Sequence, residues 1–578
     1  MSKTTTIGIG ERLWKGGLAA AMVLAFAASG QAADKASKSP AAKSGDAVTG
    51  REIFMREWLP SDPRSHGGDG LGPVFNDSSC VACHNQGGPG GGGAASKNVN
   101  IVSATFNQPI HHLVRQRQSS LGSQFLRSLL GLPEQRAPKT HTLTEADLKR
   151  ERDRLVEEVT NIHPGFRTAN SVVIHHFGAD ESYENWKSRL LTSNEMFFMG
   201  GDMAMTAASP VFMGEKEVAV AFDEPQAVTE ARKPTVAKTT SRREFTPSEL
   251  NQGRNRLHQV KSRVRQLASA TSQHGHFAIA QSQRNATALF GAGLIDAVSD
   301  KVLEEAAKKT YKGYPEISGR VARLPDGKIG RYGWKAQKAT LREFTVTACA
   351  VELGLHVPEH PQSGDPNKPA YKPVGFDLTK QECDQLVDYL RNLPAPEMRK
   401  TEHSQEQRLL KEGQSLFSNV GCATCHTEDL GPAKGIFSDL LVHDLGPELG
   451  DTGSYGVFLP DSPGGDDGSP VPPITELTKP VNQGHRHGIL SAAKPAEKEK
   501  IVGATNLEWR TPPLWGVRDS APYLHDGRAK TLEEAVAMHG GEGQNSATHF
   551  FALKPEERQK VIFFLKSLEA PSEAIAER

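Results

Sequence analysis

The 578-residue sequence has little cysteine, few aromatic residues and no excess of either charge. Lys and Arg together number 68, as do Asp and Glu, so no net field favours nucleic acid or an anionic membrane as a partner. After the N-terminus, the chain has no apolar run long enough to cross a bilayer. Its hydrophobic fraction of 37% is normal for a folded protein and excludes a disordered chain, and its length predicts more than one domain.

The N-terminus has the pattern of a secretory signal, since Arg12 and Lys15 precede an apolar run at 17–30 and a stretch of small residues. This run is shorter than the roughly 20 residues that span a bilayer, which favours cleavage of a signal at 1–33 over anchoring. Residues 34–48, rich in Ala, Lys and Ser, are predicted to be a flexible leader. The sequence therefore predicts a periplasmic protein without a stable membrane span.

Four of the six cysteines fall into two copies of the motif Cys-x-x-Cys-His. In this motif both thiols attach one haem and the adjacent histidine reaches the iron. Zinc knuckles and redox dithiols do not need a histidine directly after the second cysteine, so two copies favour haem. The sequence predicts two covalently bound haem c groups, attached through Cys80, Cys83, Cys422 and Cys425, with His84 and His426 as the proximal iron ligands.

The remaining cysteines, Cys349 and Cys383, flank a segment rich in Pro and Gly. An exported chain can join such a pair as a disulfide or keep both as buried thiols, and the sequence leaves both interpretations open. Neither cysteine has a neighbouring Lys, Arg or His that would lower its pKa. We therefore expect neither to be a nucleophile.

Helical periodicity and the two haem motifs predict a mainly α protein with two cytochrome c-like haem domains. The N-terminal haem domain is placed at 49–395, with a large insertion at about 97–285, and the C-terminal cytochrome c domain at 396–578. The insertion is polar and basic, and its helical stretches at 144–160 and 248–268 lack a long apolar face. It is predicted to pack on the surface of a haem core.

Further helices are predicted around the second haem motif. Residues 376–394 have a capping Thr379 and apolar residues at helical spacing, which indicates a helix before the second haem domain. Another helix is expected from Ser404 towards the haem motif, and a closing helix at 555–568. Residues 460–500, rich in Pro, Gly and Asp, are typical of a surface loop.

Six segments carry a resemblance to a known family. They read GLGPVFN at 70–76, LFGAGLI at 289–295, GRYGWKA at 330–336, SDLLVHDLGP at 438–447, EWRTPPLWG at 508–516 and LHDGRA at 524–529. They resemble the di-haem cytochrome c peroxidase superfamily, and more closely its di-haem oxidoreductase branch. The resemblance covers most of the mature chain outside the predicted insertion.

The resemblance implies that His539 is the second axial ligand of the C-terminal haem, because it precedes a glycine as the family ligand does. Met538 is the competing residue. Trp334 resembles the tryptophan that lies between the two haems and helps electrons pass, with a core aromatic as the alternative. Glu352 resembles the carboxylate that moves protons at the peroxide-binding haem, with a surface glutamate as the alternative. The sequence departs from the peroxidases at Phe344, where they often have glutamine.

By resemblance, the first haem binds a small oxidant such as hydrogen peroxide, and the second passes on electrons from a small redox protein. The alternatives are an electron-transfer cytochrome without catalysis and a di-haem oxidase or oxygenase acting on another substrate. Calcium bound through the backbone carbonyls of Thr511 and Pro513 is a further implication. The second axial position of the first haem is either open or filled by one of four histidines, His111, His112, His175 and His176.

Overall fold

In the computed structural model of the protein, the described residues are 44–106, 144–192 without 168 and 170, 196–197, 244–264, 271–453 and 503–571. They lie in one compact unit, Lys43–Arg578. Helix is their main secondary structure and sheet is minor, which confirms a mainly α protein. The predicted signal at 1–33 and the predicted loop at 460–500 lie outside the described residues.

The elements are numbered in chain order. The helices are α1 Ser44–Met55, α2 Cys80–Cys83, α3 Glu145–Ile162, α4 Glu181–Thr192, α5 Pro247–Val264, α6 Ala292–Asp296, α7 Asp300–Ala307, α8 Leu341–Glu352, α9 Lys380–Arg391, α10 Ser404–Asn419, α11 Leu532–Ala537, α12 Gln544–Ala552 and α13 Pro555–Leu565. The strands are β1 Val74–Phe75, β2 Val99–Phe106, β3 Ser171–Ile174, β4 Phe177–Gly178, β5 Met196–Phe197, β6 Thr271–His274, β7 Phe277–Arg284, β8 Ala322–Arg323, β9 Ile329–Gly330, β10 Val442–Asp444 and β11 Glu508–Arg510.

Local sequence signals explain where several helices begin. α8, α9 and α11 each start with a capping box. In it, the side chain of a threonine accepts a hydrogen bond from the backbone N–H of a glutamate three residues later, and the side chain of that glutamate accepts one from the backbone N–H of the threonine. The threonines are Thr340, Thr379 and Thr531. The helix predicted at 376–394 is therefore confirmed as α9. α1 begins at Ser44, inside the predicted flexible leader 34–48, so the end of that leader is helical instead. Ile53 and Phe54 anchor this helix in the core.

The other predicted helices are also confirmed. The stretches at 144–160 and 248–268 form α3 and α5, and the closing stretch at 555–568 forms α13. α10 leads to the second haem motif and packs against α13. A Cβ on Gly413 of α10 would lie 2.1 Å from the carbonyl oxygen of Lys560, so these helices can approach this closely only with glycine.

A five-stranded antiparallel sheet, in the order β3-β2-β7-β6-β5, lies within the predicted insertion and was not predicted. In it, Ile101 of β2 lies opposite Val173 of β3 and Ser282 of β7. Leu155 and Val159 of α3 are fully buried in a hydrophobic cluster with residues of β2, β3 and β7. β6 and β7 are neighbours in the chain, but β2 pairs with β3 and β7, which are far from it in the sequence, so no short window of residues indicates the whole sheet.

The hydrophobic clusters place each haem motif against packed helices. The largest cluster contains Phe54 of α1, Leu341 of α8 and Leu386 of α9, and Cys80 of the first haem motif packs against it. A second cluster is formed largely by α10, α12 and α13, and Cys422 of the second haem motif packs against it. No helix in the described ranges has both the length and the apolar character that a bilayer span requires.

Candidate haem sites

The first haem motif is a single helical turn. α2 holds Cys80 and Cys83, and Ser79 caps the turn by accepting a hydrogen bond from the backbone N–H of Ala82. The backbone N–H of His84 donates to the carbonyl oxygen of Cys80 at 3.0 Å, which extends the turn. Residues three apart in a helical turn lie on the same side, as attachment of both thiols to one haem requires.

A glycine-rich segment after this motif brings the chain back to His84. The Nδ1 atom of His84 lies 3.2 Å from the carbonyl oxygen of Gly91. A Cβ on Gly91 would lie 1.7 Å from the carbonyl oxygen of Gln86, so only glycine fits this turn. Burial lowers the pKa of His84. The ring is therefore neutral, and donation from Nδ1 leaves the metal-binding lone pair on Nε2.

The second haem motif has the same arrangement on a 3-10 turn, Cys422–Thr424. The backbone N–H of His426 donates to the carbonyl oxygen of Cys422 at 2.9 Å. Nδ1 of the same ring donates to the carbonyl oxygen of Phe437, also at 2.9 Å. Burial, together with the nearby His539, lowers the pKa of His426 to about 4. His426 is therefore also a neutral imidazole with its lone pair on Nε2.

His539 lies just after α11, next to the second haem motif. Its Nδ1 donates to the carbonyl oxygen of Ala535 at 2.8 Å, and burial lowers its pKa. The side chain of His539 lines a cavity that the second haem motif also lines. Met538 is instead fully buried in a hydrophobic cluster with Trp509. The geometry therefore favours His539 over Met538 as an iron ligand.

The cavity beside the second haem motif has a volume of about 260 Å³ and a mainly apolar wall. Two buried polar atoms in this wall, Nε1 of Trp515 and Nε2 of His525, have no hydrogen-bond partner within the described residues. The wall also contains the cysteine thiols and both neutral histidines. These residues fit a haem c: the thiols would attach it, His426 and His539 would bind its iron, and the unpaired Nε1–H of Trp515 would suit one of its carboxylates.

Trp334 lines the same cavity. Its Nε1 donates to the carbonyl oxygen of Asn285 at 2.9 Å, and its ring makes an edge contact with His525 at a centroid distance of 6.5 Å. Trp509 stacks on His525 with ring centroids 3.7 Å apart. This aromatic group was not predicted from the sequence, because Trp334 is far from Trp509 and His525 in the chain. The role of Trp334 between two haems stays a prediction.

Glu352 lies beside the first haem motif. Its Oε2 accepts a hydrogen bond from Nδ2 of Asn76 at 2.6 Å, and its carbonyl oxygen accepts one from the N–H of Asn76 at 2.6 Å. Burial raises the pKa of the Cys83 thiol to about 12, with further contributions from the carboxylates of Asp77 and Glu352. The carboxylate is therefore close to the cysteine that the sequence assigns to the first haem, and its catalytic role stays a prediction.

The histidines proposed for the second axial position of the first haem fall into two groups. His111 and His112 lie outside the described residues. Nε2 of His175 lies 2.8 Å from the carbonyl oxygen of Val351, and Nε2 of His176 lies 2.9 Å from that of Asn98. In both rings the Nε2 atom is thus engaged by a backbone carbonyl, so only Nδ1 could bind a metal in this arrangement. Phe344, at the place where peroxidases often have glutamine, stacks on Tyr332 and lines the cavity.

The cysteines outside the haem motifs, Cys349 and Cys383, are both buried free thiols in the structure. Burial raises the pKa of Cys349 well above its usual range and that of Cys383 to about 11, so both are protonated. Burial also raises the pKa of Cys80 and of Cys422 to about 12.

The backbone around Thr511 does not favour calcium. The carbonyl oxygen of Thr511 accepts hydrogen bonds from Oγ of Ser438 at 2.7 Å and from Nη1 of Arg510 at 3.4 Å. These two bonds use both lone pairs of the oxygen. A calcium ion on the same atom would also meet the buried guanidinium cation of Arg510.

Comparisons with known proteins support a di-haem enzyme. Residues 496–568 match the family model described as "Di-haem oxidoreductase, putative peroxidase". Hydrazine synthase subunit gamma of Kuenenia stuttgartiensis is 30% identical over 164 residues, which are 27% of this chain and 40% of that protein. The methylamine utilization protein MauG of Methylorubrum extorquens is 26% identical over 171 residues, 28% of this chain and 36% of that protein. The cytochrome-c peroxidase IdrP2 of a Pseudomonas species is 27% identical over 186 residues, 31% of this chain and 44% of that protein.

The chain thus spans less than half the length of these curated relatives. The matches confirm the resemblance to the di-haem cytochrome c peroxidase superfamily and its di-haem oxidoreductase branch, and they agree with a cytochrome c peroxidase-like enzyme. Among solved structures, a hydrazine synthase of Kuenenia stuttgartiensis is 18% identical with a TM-score of 0.20, covering 60% of this chain and 100% of that one. A MauG-like protein associated with microbial copper homeostasis is 17% identical with a TM-score of 0.21, covering 48% and 91%.

Proposed function

We propose that this protein is a periplasmic di-haem c-type oxidoreductase that reduces hydrogen peroxide with electrons from a small redox protein. The observation that carries the proposal is the repetition of one local geometry. His84 and His426 each follow a cysteine pair, and each donates from Nδ1 to a backbone carbonyl. Two cytochrome c-like domains, at 49–395 with its insertion at 97–285 and at 396–578, would each hold one haem c.

The C-terminal site is suited to pass electrons on. His426 and His539 are both neutral and both line the cavity, so they can supply two axial ligands. Two histidine ligands give a lower reduction potential than one histidine and one methionine. With both histidines bound to its iron, a haem at this site would have no position left for an oxidant, and the oxidant is therefore assigned to the site at His84.

When bound, the haem at His84 supplies the iron at which the O–O bond of hydrogen peroxide is reduced by two electrons. The overall reaction uses one peroxide, two electrons and two protons and gives two waters. Glu352 is the proposed proton carrier: its carboxylate accepts the proton of the incoming peroxide and returns it to the departing oxygen. Asn76 holds Oε2 of Glu352 in place with a hydrogen bond of 2.6 Å. Trp334 is the proposed route for electrons between the two sites.

The proposal is tested by electronic and EPR spectra of the haem-loaded protein, oxidised and half-reduced, with and without hydrogen peroxide. We expect one peroxide-reactive haem whose signal disappears in His84→Ala. Glu352→Gln, which keeps the shape of the side chain, should slow the peroxide reaction by on the order of 10² to 10⁴ without loss of haem. Glu397→Gln is the matched control, because Glu397 is highly exposed and pairs only with Lys400 among the ion pairs described.

A second candidate function is electron transfer without catalysis, and one observation favours it. The backbone N–H of His176 donates to Oδ1 of Asn76, the residue that also holds Glu352, so this histidine lies near the first haem motif. A histidine that filled the second axial position there would close the site to oxidants. Two low-spin haems that do not change with peroxide or cyanide would establish the electron carrier and contradict peroxide reduction.

A further inference from the structure

His443 of β10 lies between two carboxylates in the interior of the protein. Its Nδ1 is 2.7 Å from Oε2 of Glu542, and its Nε2 is 3.0 Å from Oδ2 of Asp439. Between 3% and 8% of each of the three residues is exposed to solvent. Carboxylate oxygens only accept hydrogen bonds, so both ring nitrogens of His443 must carry a hydrogen. His443 is therefore an imidazolium cation.

The three residues together carry a net charge of −1, because two carboxylates outnumber one imidazolium. The backbone N–H of Ser318 donates to Oε2 of Glu542 at 2.9 Å, and a hydrogen bond to the anion from a neutral donor leaves the charge unchanged. Arg320, whose backbone N–H donates to the carbonyl oxygen of Val442 next to His443, forms a buried ion pair with Glu508, and this pair is neutral as a whole.

The pKa of His443 supports its charged state. Burial alone would lower this pKa, but the neighbouring Cys425 and Asp439 raise it well above its usual range. The thioether formed by haem attachment would remove any charge from Cys425. The hydrogen bonds to Asp439 and Glu542 remain, and both favour the protonated ring.

This charged group lies at the edge of the candidate C-terminal haem site. Nδ1 of His443 is 3.7 Å from Sγ of Cys425, one of the two haem-attachment cysteines. His443 and Glu542 also line the cavity that contains His426 and His539. The group does not supply an iron ligand, since both ring nitrogens of His443 are already bound to carboxylates.

We propose that Asp439, His443 and Glu542 form a fixed negative charge that keeps the reduction potential of the C-terminal haem low. The inference rests on the proposed function, in which Cys425 carries a haem. Reduction adds an electron to the haem, and a buried negative charge nearby opposes this addition with little screening by water. The group therefore stabilises the ferric state and makes the reduced haem a stronger electron donor. The three residues would change the reduction potential through their charge, without binding the iron themselves.

The test is a spectroelectrochemical titration of the haem-loaded full chain at pH 6, where an imidazole paired with one remaining carboxylate keeps its proton. We expect Glu542→Gln and Asp439→Asn each to raise the potential of the C-terminal haem. At a fixed applied potential, the ferrous to ferric ratio should increase on the order of tenfold. Glu542→Asp, which keeps the charge, should restore the low potential.

Two features separate this charge effect from damage to the fold. Loosened packing admits water, which stabilises the ferric haem and shifts the potential downwards, opposite to the expected direction. Glu412→Gln removes an equal charge from a surface pair with Lys560 and should leave the potential unchanged. An unchanged or lowered potential in both Glu542→Gln and Asp439→Asn overturns the inference alone. A chain that binds only one haem, with none at Cys425, overturns the proposed function as well.

Discussion

At the scale of the residue, the candidate iron ligands share one kind of hydrogen bond. His84, His426 and His539 each place Nδ1 against a backbone carbonyl oxygen, at 3.2, 2.9 and 2.8 Å. A carbonyl oxygen can only accept, so the proton is fixed on Nδ1 and the lone pair on Nε2. Burial keeps all three rings neutral by lowering their pKa. A neutral ring with a fixed tautomer is ready to bind a metal before the metal arrives.

Variants of the adjacent residues Met538 and His539 test the choice of ligand. His539→Ala should convert the C-terminal haem from low-spin to high-spin, because it removes an axial nitrogen. Met538→Ala should leave the haem spectrum low-spin but cost about 2–5 kcal/mol of stability, because it empties a fully buried site. The spectra are read by EPR, and the stability by urea denaturation. Loss of the low-spin signal in Met538→Ala but not in His539→Ala would reverse the assignment.

At the scale of elements, a buried ion pair connects the unpredicted sheet to the chain near the haem cavity. Arg284, the last residue of β7, pairs with Asp451 through Nη1–Oδ2 at 2.7 Å and Nη2–Oδ1 at 3.1 Å. Both residues are buried. Asp451 also lies 3.6 Å from Nε2 of His525, which lines the cavity. The ion pair between Arg284 and Asp451 therefore links the sheet to a residue that contacts the wall of the candidate haem cavity.

Asp451→Asn should destabilise the protein by about 3–5 kcal/mol, because it leaves the guanidinium of Arg284 buried without a counter-ion. The measurement is the free energy of unfolding in urea. Asp384→Asn is the control, since Asp384 forms partly exposed pairs with Lys380 and Arg342 and its loss should cost about 1 kcal/mol or less. If both variants lost the same free energy of unfolding, the buried pair would stabilise the fold no more than the partly exposed pairs do, and the prediction would be wrong.

At the scale of the whole molecule, buried neutral histidines link stability to pH. Burial lowers the pKa of His163 to about 3 and that of His175 to about 4. His175 also connects the predicted insertion to α8, through its contact with the carbonyl oxygen of Val351 at 2.8 Å. Burial therefore favours the neutral form of both rings over the charged imidazolium. Acid should therefore weaken the folded state before the carboxylates titrate.

We expect stability to fall as the pH drops below about 6.5. The unfolded chain takes up protons on these histidines near pH 6.5, whereas the folded chain takes them up only near pH 3 to 4. Between these values each group should cost about 1.4 kcal/mol per pH unit. Urea unfolding at pH 7 and pH 5 measures the effect. His163→Asn, which keeps an acceptor for the N–H of Gly165, should make the dependence shallower, and an unchanged slope would contradict this account.

Features that a few neighbouring residues specify could be predicted from the amino-acid sequence alone. Each haem motif is complete within five residues, so its chemistry is visible without a fold. The capping Thr379 likewise predicted the start of a helix, and it marks the start of α9. The family segments predicted His539, although its adjacency to Met538 left two candidates.

Contacts between side chains that are distant in the sequence could not be predicted in this way and became visible only in the fold. Packing put Met538 in a hydrophobic cluster and His539 at the cavity, which no local pattern distinguishes. The sheet pairs strands from separate parts of the chain, and the charged group of His443 joins residues up to about 100 positions apart. Such contacts depend on how helices and strands pack, and the free energy of packing belongs to the whole fold rather than to any short segment.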